Sequence, residues 1–103
     1  MANLADAPQY VLGSQLYISG SFTSAAGDLV DPTGVLFKYK LSNGATTTLT
    51  YGVDAALVKD GTGLYHVYFT PGTAGTYYFR WETTGTTTVG AYEGSFTIRS
   101  SNF

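Results

Sequence analysis

The run Asp60-Gly61-Thr62-Gly63-Leu64-Tyr65-His66-Val67-Tyr68-Phe69-Thr70-Pro71-Gly72-Thr73-Ala74-Gly75-Thr76-Tyr77-Tyr78-Phe79-Arg80-Trp81-Glu82 holds two copies of one local design. In each, a glycine precedes a tyrosine by two residues and an apolar/polar alternation follows. The copies are Gly63-Leu64-Tyr65-His66-Val67-Tyr68-Phe69 and Gly75-Thr76-Tyr77-Tyr78-Phe79-Arg80-Trp81. Glycine supplies the turn conformations other residues avoid, and alternation is the period of a half-buried strand. Each copy therefore reads as a tight turn feeding a strand, roughly 64–70 and 76–82.

The same signals extend in both directions. Gln15 to Thr23 alternates Leu16, Ile18 and Phe22 against Tyr17, Ser19 and Ser21, with Gly20 marking a bulge or a close backbone approach. Val35 to Leu41 is the cleanest alternation: Val35, Phe37, Tyr39 and Leu41 on one side, Leu36, Lys38 and Lys40 on the other. Asn43-Gly44 then marks a hairpin. Thr46 to Tyr51 is a polar, β-branched edge, Ala56 to Lys59 a short strand, and Thr87 to Arg99 the last, with Gly94 read as a bulge. About seven short strands punctuated by Gly, Pro and Asn imply a sandwich of two antiparallel sheets. The expected inward set is Leu16, Ile18, Phe22, Val35, Phe37, Tyr39, Val67, Phe69, Tyr77, Phe79, Trp81, Phe96 and Ile98. Residues 1–13 read as an extended N-terminal arm, 14–100 as one domain and 101–103 as a tail.

Composition narrows the function. The chain has 103 residues, the size of one domain, with 16% aromatic and 12% charged residues. Charge is about half the usual quarter, so surface polarity must come mainly from Thr, Ser, Gly and Asn, and low charge with many Tyr also suits a surface that meets other protein. Five basic residues stand apart along a chain of net charge −2, too few and too scattered to neutralise a row of phosphates; no nucleic-acid partner is expected. No apolar run reaches membrane-spanning length, so no membrane partner is expected. Met1 to Asp6 lacks the basic start and apolar stretch of a signal peptide, which implies synthesis in the cytoplasm.

Reactive chemistry is thinly represented. There is no cysteine and one histidine, His66, so a zinc site of ordinary ligands is not expected. Asp28 and Asp31 share a turn, but calcium wants six to eight oxygens; both read as turn formers bonded to nearby backbone, as does Asp60. No Gly-x-Ser-x-Gly elbow or phosphate loop occurs. The sequence predicts a protein that is not an enzyme and carries no cofactor.

Two resemblances follow. Asp60-Gly61-Thr62-Gly63-Leu64-Tyr65 resembles the Asp-x-x-Gly-x-Tyr approach to a late strand in immunoglobulin-like domains, where the tyrosine hydroxyl ties the strand to the preceding turn. The antibody cysteines are missing and Trp81 lies late, so the resemblance implies an immunoglobulin-like sandwich rather than an antibody relative. The second spans roughly Ser14 to Ser100. The order Phe22-Thr23-Ser24-Ala25-Ala26-Gly27-Asp28-Leu29-Val30-Asp31-Pro32, Lys38-Tyr39-Lys40, Tyr51-Gly52-Val53-Asp54-Ala55, Val58-Lys59-Asp60-Gly61-Thr62-Gly63-Leu64-Tyr65, Ala74-Gly75-Thr76-Tyr77-Tyr78-Phe79-Arg80-Trp81-Glu82 and Glu93-Gly94-Ser95-Phe96-Thr97-Ile98 is similar to small one-domain virion proteins of tailed bacteriophages.

That resemblance implies a capsid cement or decoration protein on the outer surface of the phage head. Its partners would be the major capsid protein or other virion proteins, and it would be homo-oligomeric or multicopy on the particle. A head–tail connector or tail component is the alternative within the class, and a carbohydrate-binding adhesive module the alternative outside it. The residues expected to meet a partner are Leu4, Tyr10 and Leu12 of the arm, the outward-facing His66, Tyr68 and Tyr78, and the terminal Phe103.

Overall fold

A computed structural model describes residues 9–84 and 91–102. Among them are eight strands and no helix: β1 (Gln9–Val11), β2 (Leu16–Ser21), β3 (Gly34–Leu41), β4 (Thr47–Thr50), β5 (Leu57–Gly61), β6 (Leu64–Phe69), β7 (Gly75–Thr84) and β8 (Ala91–Arg99). They form a sheet of order β1-β8-β7-β3-β4 and a second of order β2-β6-β5. Pairing is antiparallel except for β1, which runs parallel to β8. The protein is an all-β, two-sheet sandwich. The start expected for the last strand, Thr87 to Gly90, lies outside the described residues.

The two Gly-x-Tyr strands do not pair with each other. β6 lies in the small sheet and β7 in the large one, and the chain changes sheets through residues 70–74. Both glycines have positive φ, +70° at Gly63 and +143° at Gly75, which an L side chain resists. Both tyrosines are buried, one from each sheet. Tyr77 donates its hydroxyl to the Thr73 carbonyl (2.8 Å), tying β7 to the turn before it. The tie expected at the first copy is thus made at the second.

Alternation fills the space between the sheets. One cluster joins Phe22, Val35, Phe37, Leu57, Tyr65, Val67 and Trp81; the other joins Leu16, Tyr77, Phe96 and Ile98. Ile18, Tyr39, Phe69 and Phe79 bridge both clusters from partly buried positions. Trp81 and Phe37 are fully buried, with ring centroids 4.8 Å apart in edge contact. Side chains of this size contribute about 1.5–3 kcal/mol each on burial, so this pair anchors the sandwich. Leu57 and Tyr65 also belong to the core, beyond the inward set expected from alternation. The strand expected over 56–59 is too short for its face to be read from its period.

Gly94, read as a bulge, and Gly20, read as a bulge or a close backbone approach, both prove to be close approaches. β2 pairs with β6, and β7 with β8, without a register shift at Gly20 or Gly94. A Cβ on Gly20 would stand 2.8 Å from the Trp81 indole, and one on Gly94 would stand 2.5 Å from the Phe79 ring. Both positions are bare so that an aromatic ring can lie directly on the backbone. The ladder shifts register instead between Lys59 and Gly61, where no strand signal marks a bulge.

The segment read as an arm is in part a strand of the domain. Gln9, Tyr10 and Val11 pair with Thr97, Ile98 and Arg99, and Leu12 packs on the second cluster. Residues 1–8 of that segment lie outside the described residues. The Asn43-Gly44 turn joins β3 to β4 through a wide loop, with the Gly44 amide bonded to the Leu41 carbonyl (2.8 Å). β4 is an edge strand, as its polar composition implies.

Candidate functional site: the outer face of the three-stranded sheet

The register of the small sheet sets its outer face. Tyr17 lies opposite Tyr68, Ser19 opposite His66, Ser21 opposite Leu64, and Val58 opposite His66 on the other flank. Because side chains alternate across a strand, these residues share the side away from the core. Tyr17 is 64% exposed, while Tyr68 and Leu64 are each 39% exposed. They form an apolar, aromatic surface on a sheet whose other side is packed core.

His66 is the pivot of this surface. The Tyr17 ring stacks on it at 4.3 Å between centroids and 22° between planes, and the Tyr68 ring lies 6.1 Å away. Its Nδ1 lies 2.8 and 2.9 Å from the two carboxylate oxygens of Asp60. An ionised carboxylate only accepts, so the imidazole donates from Nδ1 and its plane is fixed. Asp60 reaches it because the bulge between Lys59 and Gly61 re-aims that side chain. The aspartate read as a local turn former instead orients a histidine six residues on.

Asp31 also does more than shape its own turn. Its carboxylate accepts from the Gly63 amide (2.8 Å) and from Lys59 Nζ (2.8 Å), so it clamps the β2–β3 connection to the β5–β6 turn. The Lys59 ammonium, then the Gly63 amide, hold its carboxyl below the ordinary range. Among the described residues, no group of three or more His, Cys, Asp or Glu side chains is placed to hold a metal ion.

The outer face of the large sheet is chemically different. Glu82 accepts from Lys38 Nζ (2.9 Å) and Arg80 Nε (2.8 Å), and Arg80 also reaches Glu93 (2.7 Å). Hydrogen bonds first from Lys38 and then from Arg80 hold the Glu82 carboxyl below its usual value. Tyr78, opposite Lys40 and Ser95, is exposed beside this ladder. One face is thus zwitterionic and the other aromatic.

These two carboxylates predict an acid response. Both have folded pKa values below their unfolded values of about 4. The stability they contribute is therefore present above that unfolded range and is lost as pH falls through the lower folded values. The urea midpoint should be flat from pH 7 to about pH 5 and should fall below about pH 4. Asp31→Asn and Glu82→Gln together should flatten that fall; an unchanged slope would refute the clamp roles.

The residues named from sequence separate in space. His66 and Tyr68 come together, and Tyr17 joins them. Tyr78 lies on the opposite face, and Tyr10 packs on Phe96 at 6.5 Å at the sheet edge. Leu12 is part of the packed domain. Leu4 and Phe103 lie outside the described residues. Tyr17 is legible as outward-facing from its alternation, but only the β2–β6 register places it on His66.

No protein-family model matches the chain, and no curated protein does. The fold is similar to part of a crystal structure from Bacteroides vulgatus whose description reads "putative glycoside hydrolase". The TM-score is 0.58 at 14% identity over 92% of this chain. The chain spans 17% of that protein's length. The likeness is one of fold: a β-sandwich domain of the kind that also occurs inside larger proteins.

Proposed function

We propose that the chain is a non-enzymatic structural protein of a tailed-phage particle, a cement or decoration protein that binds the outer surface of the head. The observation that carries this reading is the Tyr17–His66–Tyr68–Leu64 face, where exposed aromatics stand on a rigid sheet with little charge. Interface centres have this character: depleted of charge, rich in tyrosine, and held in place before binding. The motif order along the chain supports the virion class. The sheet orders support an immunoglobulin-like arrangement, since β2-β6-β5 and β8-β7-β3-β4 follow the B-E-D and G-F-C-C′ orders of such domains. Many copies on a repeating shell would make individually weak contacts count through multivalency. Because Tyr10 and Leu12 pack within the domain, the proposal rests on the sheet face and not on the arm.

The test is re-binding of purified protein to heads that lack it. Tyr17→Ala with Tyr68→Ala should weaken occupancy by about tenfold or more while leaving the melting temperature nearly unchanged. Wild-type occupancy by the double variant would overturn the assignment. On the order of hundreds of copies spread over the shell would mean cement, and about six or twelve at one vertex would mean a connector.

A second reading, a carbohydrate-binding module, is favoured by one detail. The Tyr17 ring, stacked on His66 beside the Asp60 carboxylate, pairs an aromatic face with a hydrogen-bond acceptor. Saturable glycan binding lost in the same double variant, with head binding intact, would select it.

A further inference from the structure

The hydrogen bonds around β4 show which of its main-chain groups face outward. The Tyr51 amide donates to the Val35 carbonyl (3.0 Å), so Val35 and Tyr51 are a hydrogen-bonded pair of the β3–β4 ladder. Counting by two along the register makes Phe37 with Leu49, and Tyr39 with Thr47, bonded pairs as well. The Thr48 amide and carbonyl therefore point away from β3. The peptide between Thr46 and Thr47 is trans, so the Thr46 carbonyl points outward too. Thr50 has the same parity, but its groups are taken. Its amide donates to Asp54 Oδ2 (2.8 Å), and its carbonyl accepts from the amides of Val53 (3.1 Å) and Asp54 (2.9 Å). The free edge is a window at residues 46–48, with no strand beside it among the described residues.

Two other sheet edges carry devices that stop strands from adding. β5 is bulged between Lys59 and Gly61 and bears the charges of Lys59 and Asp60. On β2 the Phe22 amide bonds the Gly63 carbonyl, and the same count by two turns the Ser19 carbonyl away from β6. That carbonyl accepts from the Tyr92 hydroxyl (3.4 Å). The β4 window, Thr46-Thr47-Thr48, has no charge, no proline and no bulge. Threonine suits a strand, and an uncharged window does not repel an identical one laid beside it.

We propose that β4 pairs antiparallel with β4 of a second copy of this chain, about a two-fold axis through Thr47. Thr46 then lies opposite the partner's Thr48, and Thr48 opposite the partner's Thr46. Each Thr48 amide donates to the partner's Thr46 carbonyl, and each Thr46 amide to the partner's Thr48 carbonyl, which uses the window end to end. Such a contact is self-complementary, as a two-fold interface must be. Sliding the pair until Thr48 faces its own copy would bring Thr46 opposite the partner's Thr50, whose groups are occupied. The Asp54 cap thus fixes the register. One residue further, Ala45 falls opposite the partner's Leu49, a core-side residue that its own domain leaves only partly buried. The axis stands perpendicular to the joined sheet, so both three-stranded sheets lie on the same side of it. Their aromatic faces then point the same way and engage one surface together. The pairing itself does not depend on what that surface is.

The chain contains no cysteine, so a single engineered one reports directly on proximity between copies. Thr47 is exposed and sits on the axis in a non-hydrogen-bonded pair. Cα atoms in such a pair stand about 4.5 Å apart, inside the ~4.4–6.8 Å range of a disulfide. Purified full-length Thr47→Cys should form a disulfide-linked dimer under mild oxidation about tenfold faster or more than Thr62→Cys, an exposed turn site outside β4, at equal concentration. Thr48→Cys should be no faster than that control, because the partner's Thr48 stands on the diagonal, about 7–8 Å away. Thr48→Pro removes an outward amide without touching the β3 ladder. Added to Thr47→Cys, it should bring cross-linking down to the Thr62→Cys rate while leaving the melting temperature nearly unchanged. Equal rates for Thr47→Cys and Thr62→Cys would overturn the proposal and leave the edge to a strand of another protein. Faster closure at Thr48→Cys than at Thr47→Cys, or cross-linking undiminished by Thr48→Pro, would overturn it as well.

Discussion

Trp81→Ala is expected to cost about 3–5 kcal/mol, a large part of the roughly 5–15 kcal/mol that stabilises a domain of this size. Trp81 is fully buried between the sheets. Its ring touches Phe37 at 4.8 Å, and Phe22 lies 6.0 Å away. On its other side is the bare backbone of Gly20. Removing the indole leaves a void bounded by the Gly20 backbone on one side and by the rings of Phe37 and Phe22 on the other, which cannot collapse without shifting β2. The melting temperature should fall by about 15–30 °C, read by calorimetry or circular dichroism. Trp81→Phe separates packing from polarity. The indole Nε1 is buried with no hydrogen-bond partner among the described residues, a burden a phenyl ring does not carry. That variant should therefore lose less than about 2 kcal/mol. A loss under ~1 kcal/mol in Trp81→Ala would contradict the central place given to this residue.

Gly63→Ala should cost about 2–4 kcal/mol, from two sources that can be measured apart. The first is conformational: φ at Gly63 is +70°, where an L side chain meets its own backbone. The second is contact: a Cβ there would stand 2.7 Å from the Phe22 carbonyl oxygen and 2.8 Å from that of Val30. Both obstacles are main chain, and the Gly63 amide is itself held by Asp31, so little can yield. Gly27 has φ +93° but open space where a methyl would stand, so Gly27→Ala should lose only the conformational part, about 1 kcal/mol. Gly72 has open space and no positive φ, so Gly72→Ala should fall within about 0.5 kcal/mol of wild type. The three urea midpoints should rank in that order. Equal losses at Gly63 and Gly27 would show that the contact with Phe22 and Val30 carries nothing.

Much of the fold is written locally. Val35 to Leu41 alternates cleanly because one side faces the core and the other faces water, and the strand appears there as Gly34–Leu41. The same holds for Leu64–Phe69 and for Gly75–Thr84. Alternation fails where a strand is short or lies at a rim. Leu57 opens a five-residue strand and is buried without a pattern to announce it. Tyr92 is 41% exposed, yet its hydroxyl reaches over Gly20 and its ring lies 6.4 Å from Phe22, a position set by the opposite sheet.

The candidate site shows the same division more sharply. That His66 and Tyr68 face outward follows from the period of two around Val67. That Tyr17 stacks on His66, and that Asp60 grips its Nδ1, follows from a β2–β6 pairing between segments far apart in the chain and from a bulge in β5. Asp31 likewise reads as a local turn residue, because nothing near it in the chain names Gly63 and Lys59 as its partners.

The chain's own order of residues is enough to establish a small, all-β domain with glycine-opened strands, since turn chemistry and strand period act over a few residues at a time. Which strands share a sheet, which glycines lie under rings, and which polar groups meet on the outer face were decided only by packing the two sheets together. Those contacts are selected by shape and burial between distant segments, and no local pattern encodes them. The Gly-x-Tyr pair belongs to both levels: its turns are local, and its two tyrosines meet the core from opposite sheets.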